Sequence, residues 1–343
     1  MHIQNRRYIG SKTQIIESIF SEIEKIKLSL GKEKIVLSDL FAGTGVVSEM
    51  ALSRGEDVII NDLLYHNFVA YNTWMSNSKF DKEVINKYIE RFNKENTNKE
   101  NYFSEIYSNK YFGPEVSKKI GHIREQIENN KENLTKREYY ILITSLLYSA
   151  DKIANTVGHF EHYLSNKEFK KNLELKIPSI KKYKGKAKIY NMDANLLASK
   201  VISDIAYIDP PYNSRQYINF YHLLENLAKW DKPKEFEGKS MKYKRDHLKS
   251  DYSKSKAPEA FQNLIESLNT KYIIVSYNNT YNAKSSASNN KISEDEIKNI
   301  LKSKGKLTIK EIGHKFFNSG KTDFKEHKEY LYICEVKNDF RKI

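Results

Sequence analysis

Asp209-Pro210-Pro211-Tyr212 follows directly on the apolar run Ile205 to Ile208, so a carboxylate, two prolines and a phenol stand where a strand should end. Proline has no backbone N–H and holds φ at about −65°, so a Pro-Pro pair stops a sheet ladder and sets the direction of the carbonyls beside it. Asp209 and the Pro210 carbonyl could then accept both hydrogens of one amino group. Tyr212 offers a ring face for stacking, which is how enzymes hold a base drawn out of a helix. For the tetrapeptide alone, a plain turn with a Pro-Pro stop is the competing reading.

Three further sites have chemistry to offer. Gly43 and Gly45, in Phe41-Ala42-Gly43-Thr44-Gly45, let a backbone approach a ligand closely. Ser48 stands where a dinucleotide fingerprint would place its third glycine, so that fingerprint is incomplete. Asp62 ends the next expected strand, a position from which a carboxylate can accept from both hydroxyls of a ribose, although a turn or N-cap role suits it equally. Asp193, in Asn191-Met192-Asp193-Ala194, could accept from an adenine amino group; taken alone it reads better as a turn residue. Near the start, Gly10-Ser11 lies between Tyr8-Ile9 and Lys12, ahead of an amphipathic helix beginning near Thr13. Such a turn suits a carboxylate, which Lys12 could pair; a disordered basic terminus is the alternative.

The elements that must position these residues are legible from pattern. Ile35 to Leu37, the glycine turn, a helix from Val46 to Arg54 stopped by Gly55, and a strand at Val58 to Ile60 make a βαβ unit. From about Tyr65 to Lys184 the chain reads as mostly helical, with Tyr139 to Ile153 its most apolar stretch. Strands return at Ala187 to Tyr190, Ile205 to Ile208 and Tyr272 to Ser276, with a helix at Pro258 to Leu268. Ser293 and Glu296 form a capping box for a helix that Gly305 closes. Leu307 to Phe317 and Glu329 to Val336 read as an antiparallel hairpin joined by a polar loop, Asn318 to Lys328. The whole predicts an α/β fold with a doubly wound, mostly parallel sheet, whose ligands gather at the carboxyl ends of the strands.

The formal net charge of +14 points to a polyanionic partner, although Lys, Asn, Ile and Tyr are abundant throughout. The charge is uneven. Lys167, Lys170, Lys171, Lys176, Lys181, Lys182, Lys184, Lys186 and Lys188 are opposed only by Glu168 and Glu174, and a second basic stretch, expected to be mobile, runs from Lys229 to Lys256. The single cysteine, Cys334, excludes a disulfide framework and a cysteine metal site. The N-terminus lacks a signal-peptide core and no apolar run could span a bilayer, so a cytoplasmic location without a membrane partner is expected.

Taken in order, Arg7-Tyr8-Ile9-Gly10-Ser11-Lys12, Asp39 to Gly45, Asn61-Asp62, Asp193 and Asp209 to Tyr212 resemble the Dam-like, alpha-class adenine-N6 DNA methyltransferases across almost the whole chain. Ser11 departs from that pattern, since Dam itself usually has a second glycine there. The resemblance implies the Rossmann-like fold of S-adenosylmethionine-dependent methyltransferases. It implies S-adenosyl-L-methionine as donor, surrounded by Tyr8, Lys12, Phe41, Ala42, Gly43, Gly45, Asp62 and Asp193, with no metal required. It implies an adenine flipped from double-stranded DNA and held by Asp209, Pro210, Pro211 and Tyr212. The expected catalytic domain comprises residues 1–64 and 187–343, and residues 65–186 form an inserted, mainly helical target-recognition domain. Asn155 to Phe160 is similar to a segment of modification methylases of the FokI or NlaIII sort, which would pair the chain with a restriction endonuclease encoded nearby. Arg7 faces DNA by the same resemblance. Asn155 and His159 are candidates for base edges, and Lys181, Lys182 and Lys184 for phosphates; for His159 a satisfied loop histidine is an equal reading. Three rivals remain: an RNA adenine or cytosine-N4 methyltransferase, a nicotinamide dehydrogenase disfavoured by Ser48 and the Pro-Pro-Tyr ending, and a non-catalytic nucleic-acid-binding module.

Overall fold

In the computed structural model, residues 1–5, 7–8, 10–165, 169, 172–280, 289–313 and 328–337 are described. The chain opens with α1 (Ile16–Ser29), β1 (Val36–Asp39), α2 (Val46–Arg54) and β2 (Asp57–Asn61). Five helices follow: α3 (Tyr65–Trp74), α4 (Lys82–Lys94), α5 (Tyr102–Tyr107), α6 (Pro114–Asn129) and α7 (Lys136–Ile153). Next come β3 (Ala187–Tyr190), α8 (Ala194–Ala198), β4 (Ile202–Ile208), α9 (Tyr217–Lys229) and a short hairpin of β5 (Phe236–Glu237) and β6 (Lys242–Tyr243). The last elements are α10 (Ala257–Ser267), β7 (Asn269–Asn278), α11 (Glu294–Lys304), β8 (Gly305–Gly313) and β9 (Lys328–Val336). No described helix is long and apolar enough to cross a membrane.

Two compact units result. One comprises residues 11–63, 183–216 and 249–343, and the other residues 1–10, 64–182 and 217–248. The division differs from the expected one: residues 1–10 and 217–248 belong to the helical unit. The reason is α9, whose buried face, including Tyr221, Leu224 and Leu227, packs on α3 and α7.

The first unit holds a seven-stranded sheet in the order β3-β2-β1-β4-β7-β9-β8. The first five strands run parallel, and β9 returns antiparallel between β7 and β8. This is the doubly wound α/β architecture with a C-terminal antiparallel hairpin. In β4 every residue from Ser203 to Ile208 is buried, as expected for a central parallel strand covered on both faces. On one side α10 and α11 contribute Phe261, Leu264, Ile297 and Leu301 to an apolar cluster with Ile273 and Cys334. Ser293 and Glu296 form the expected capping box of α11. Gly305, which closes that helix, is extended, and a Cβ there would lie 2.0 Å from the Glu335 carbonyl oxygen, so close strand packing explains the glycine. The strand expected over Leu307 to Phe317 is described as far as Gly313; residues 314–317 and most of the loop expected from Asn318 to Lys328 lie outside the described residues.

In the helical unit α7 is the central element, with 14 of its 18 residues buried, and α3, α4, α6 and α9 pack around it. A capping box of Thr135 and Glu138 starts it. The basic stretch after Lys229 was expected to be mobile; instead it forms the β5–β6 hairpin. Arg245 anchors that stretch, donating to Asn219 Oδ1 at 2.5 Å and to the Tyr243 carbonyl at 2.6 Å.

Candidate active site

β1 and β4 are neighbours at the point where strand order reverses, which in doubly wound sheets opens a crevice at the strand ends. The chain leaving β1 turns through Gly43 and Gly45, whose φ values of 51° and 74° lie in the left-handed region. The Gly43 N–H donates to Asp62 Oδ2 at 2.9 Å, and the Ala42 N–H donates to the Asn61 carbonyl at 3.0 Å, which fixes the turn against the end of β2.

Two asparagines absent from the expected site lock the strand ends together. Asn61 donates to the Leu40 and Met192 carbonyls at 3.1 and 3.0 Å and accepts from the Met192 N–H at 3.1 Å. Asn191 donates to the carbonyls of Asp62 and Leu63 at 2.8 and 2.9 Å. An amide carries the same donor and acceptor as a peptide unit, so each asparagine continues the ladder where the strands stop.

Ser48 explains the missing third glycine, because its hydroxyl donates to Asp39 Oδ2 at 2.7 Å. The other oxygen, Asp39 Oδ1, is buried with no partner among the described residues. Burial pushes the Asp39 carboxyl up to about 7; Ser48 opposes that shift, and the charges of Asp209 and Asp62 add to it.

Asp209 lies one residue past β4, its side chain 15% exposed. Lys12 Nζ stands 2.9 Å from Asp209 Oδ1 and 3.4 Å from Glu329 Oε1. The Tyr212 hydroxyl lies 2.5 Å from Asp209 Oδ1 and 2.8 Å from Glu329 Oε1, and accepts from Lys12 at 2.5 Å. With one hydrogen, it can donate to only one carboxylate at a time. Ser276 donates to the same Glu329 oxygen at 2.7 Å. Burial raises the Asp209 carboxyl above its ordinary range, with Lys12 pulling down and Glu329 pushing up. For Lys12, burial would lower the ammonium, but Asp209 and Glu329 together hold it above the usual lysine value. Lys12 was expected to pair with a ligand carboxylate; its ammonium is instead committed to this cluster.

The Tyr212 ring sits 4.7 Å from Tyr277, tilted by 62°, and its carbonyl accepts from Lys291 N–H at 2.8 Å, so the aromatic plane is fixed. Asp193 caps α8: its Oδ1 accepts from the N–H groups of Asn195 and Leu196 at 2.9 and 3.3 Å. The turn role is therefore occupied, and any contact with a ligand falls to Oδ2. Phe41 packs edge-on against Tyr252 at 5.1 Å.

Glu329 was missed by the sequence reading. Strand parity puts it on the face of β9 that carries Leu331 and Ile333 but also the exposed Glu335, so the pattern alone does not single it out.

With this geometry in place, comparison with known proteins is decisive. Residues 8–316 match the model of the D12 class N6 adenine-specific DNA methyltransferases. The chain belongs to that family. Among similar proteins, the type II methyltransferase M.NlaIII of Neisseria lactamica is 32% identical over 96% of this chain and 98% of its own length. The modification methylase StsI of Streptococcus sanguinis is 36% identical and M.FokI of Planomicrobium okeanokoites 32%, each over 96% of this chain. The chain spans about half the length of these last two, 52% in each case.

The remaining candidates of this D12-class chain lie mostly in its helical unit. Tyr8 stacks flat on Tyr221 at 4.8 Å and on Tyr217 at 5.8 Å. Arg7, expected to face DNA, is 37% exposed and binds Asp151 Oδ1 at 3.2 Å and the Thr156 carbonyl at 3.4 Å. Asn155, expected to read a base, donates its amide to the carbonyls of Lys110 and Leu164 at 3.2 and 2.9 Å, so its donors brace the loop. The His159 ring packs on Phe220 at 5.0 Å.

The lysine-bearing segment is pinned from within. Leu173 and Leu175 are buried, Asn93 pairs both backbone groups of Leu175 at 2.8 and 3.0 Å, and Ser145 holds the Lys176 carbonyl at 2.8 Å. Lys181 and Lys182 are exposed, and Lys184 is exposed in the sheet unit. Lys167, Lys170 and Lys171 lie outside the described residues.

Proposed function

We propose that the protein transfers a methyl group from S-adenosyl-L-methionine to the N6 amine of an adenine flipped out of double-stranded DNA, as the modification enzyme of a restriction system. The observation that carries this reading is the Asp209 cluster: a largely buried carboxylate just past the end of β4, followed by two prolines and a fixed tyrosine ring. S-adenosyl-L-methionine supplies an electrophilic methyl group on a sulfonium. A cationic donor suits the end of β1, where the charge of Asp62 bears on Asp39 and Asp39 Oδ1 has no partner among the described residues. Phe41 to Gly45, Asp62 and Asp193 would hold it.

An exocyclic amine is a weak nucleophile because its lone pair is delocalised into the ring. Asp209 Oδ and the Pro210 carbonyl accept its two hydrogens and so favour a pyramidal nitrogen. The lone pair forms the N–C bond as the C–S bond breaks, and the surplus proton leaves to Asp209 or water. The chain contributes positioning and charge. Stacking on Tyr212 offsets part of the few kcal/mol that base extrusion costs. The helical unit, with Lys181 and Lys182, and Lys184 beyond it, would meet DNA phosphates. A cytoplasmic location and an endonuclease encoded nearby go with this reading.

Incubation with isotope-labelled S-adenosyl-L-methionine and DNA, followed by digestion to nucleosides and mass spectrometry, tests the assignment. N6-methyldeoxyadenosine is expected. N4-methyldeoxycytidine, label only in RNA, or no label at all would each overturn it in favour of the corresponding rival.

A further inference from the structure

Lys12 already holds Asp209 Oδ1, one of the two oxygens an acceptor amine could use. Its ammonium donates to Oδ1 at 2.9 Å and to the Tyr212 hydroxyl at 2.5 Å. A lysine with its charge reinforced by two carboxylates is a strong competitor for that oxygen, and a neutral amine cannot displace it unless the ammonium has somewhere else to go. Within the cluster one such place exists. Glu329 Oε1 stands 3.4 Å from Lys12 Nζ and is held still by Ser276 at 2.7 Å and Tyr212 at 2.8 Å. The Tyr212 hydroxyl touches both carboxylates, so its hydrogen can turn from one to the other as the lysine moves.

We propose that Glu329 receives the Lys12 ammonium when the acceptor amine binds Asp209, making Glu329 a positioning residue for methyl transfer. The inference rests on the adenine-methylation reading above and adds a residue to it. The movement is short: Lys12 gives up Asp209 and closes on Glu329, and the Asp209 oxygen becomes available without leaving an unpaired ammonium in a buried site. Ser276 has the matching task of keeping the glutamate from following the lysine towards Asp209. This also accounts for a buried acid beside Leu331 on its strand face, which needs compensation to be tolerated.

The charge of Glu329 and its hydrogen-bonding shape can be separated. Glu329→Gln keeps the length and an acceptor for Ser276 and Tyr212 but loses the charge; Glu329→Asp keeps the charge one methylene shorter. Single-turnover methylation of DNA, with cofactor affinity measured in parallel as the check on folding, is expected to give a loss on the order of tenfold or more for Glu329→Gln and a smaller loss for Glu329→Asp, with the S-adenosyl-L-methionine Kd within about twofold for both. In a Lys12→Met background, where no ammonium competes, Glu329→Gln is expected to cost less than about twofold.

A purely structural glutamate gives the reverse order, glutamine better than aspartate, and the same cost with or without Lys12; either result overturns the proposal. So does a glutamine variant as fast as the unaltered protein. An unaltered protein that methylates no adenine overturns the activity itself, and is distinguished because it is read before any variant.

Discussion

Arg124 in the helical unit and Lys12 in the sheet unit are both buried cations, and their surroundings differ in kind. Arg124 is fully buried and donates to the carbonyls of Leu227 and Ala228 at 2.8 and 3.1 Å, to the Tyr139 hydroxyl at 3.0 Å and to Glu128 at 2.9 Å. The two carbonyls belong to the last turn of α9, where a helix leaves acceptors unsatisfied, so the guanidinium completes that end. Arg124 thus adds two backbone carbonyls to a carboxylate and a phenol, whereas the Lys12 ammonium meets two carboxylates and a phenol, side chains that can change partners. A buried charge tied in part to backbone carbonyls holds a fold together; one held by titratable side chains at strand ends is poised for chemistry.

That contrast can be broken most severely at Arg124. Arg124→Met should destabilise the protein by about 3 kcal/mol, because the helix-end carbonyls of Leu227 and Ala228 lose this donor and Glu128 keeps only Tyr139 and Lys131, while the folded fraction binds S-adenosyl-L-methionine normally. Urea denaturation with parallel binding measurements checks it; a stable variant with lost cofactor binding would reverse the assignment of roles.

Asp39 sharpens the comparison on the sheet side. Its carboxyl stands at about 7 when folded, above an ordinary aspartate, so the folded state keeps a proton that the unfolded chain releases. Stability from this group is complete below about pH 4 and is lost as pH rises from there to about 7. Asp39→Asn keeps an acceptor for Ser48 and removes the titration. It should flatten that pH slope and gain roughly 1–3 kcal/mol over the unaltered protein at pH 8, read from urea midpoints across pH. An unchanged slope would mean that Asp39 is ionised in the fold.

The smallest expected effect is at Asp62. Asp62→Asn still accepts from Gly43 and should shift stability by less than about 1 kcal/mol, yet raise the S-adenosyl-L-methionine Kd about tenfold, visible by calorimetry. An unchanged Kd would refute the ribose role.

The same contrast explains what the sequence disclosed. The order of strands and helices was legible because central parallel strands are apolar throughout, as in β4, and because Gly55 and the Ser293–Glu296 box punctuate helices. The placement of Asp39 to Gly45, Asp62 and Asp209 to Tyr212 at or just past strand ends was legible because strand ends in such a sheet share one edge. Glu329 was not, since its partners Lys12, Tyr212 and Ser276 are distant in sequence, and the register of β9 against β7 that brings it near Ser276 is a property of the folded sheet. Asn155 misled for the opposite reason: a loop asparagine looks free in sequence, but loop carbonyls need donors, and Lys110 and Leu164 had claimed it. Domain limits failed at residues 217–248 because α9 follows β4 in the chain yet buries its apolar face on α3 and α7.

The central claim is that Asp209 holds the acceptor amine while other strand ends hold the donor. Single-turnover methylation by Asp209→Ala, with donor affinity measured on the same preparation, tests it most directly. The account expects the transfer rate to fall on the order of a thousandfold with the S-adenosyl-L-methionine Kd within about twofold. Transfer at close to the unaltered rate would contradict it.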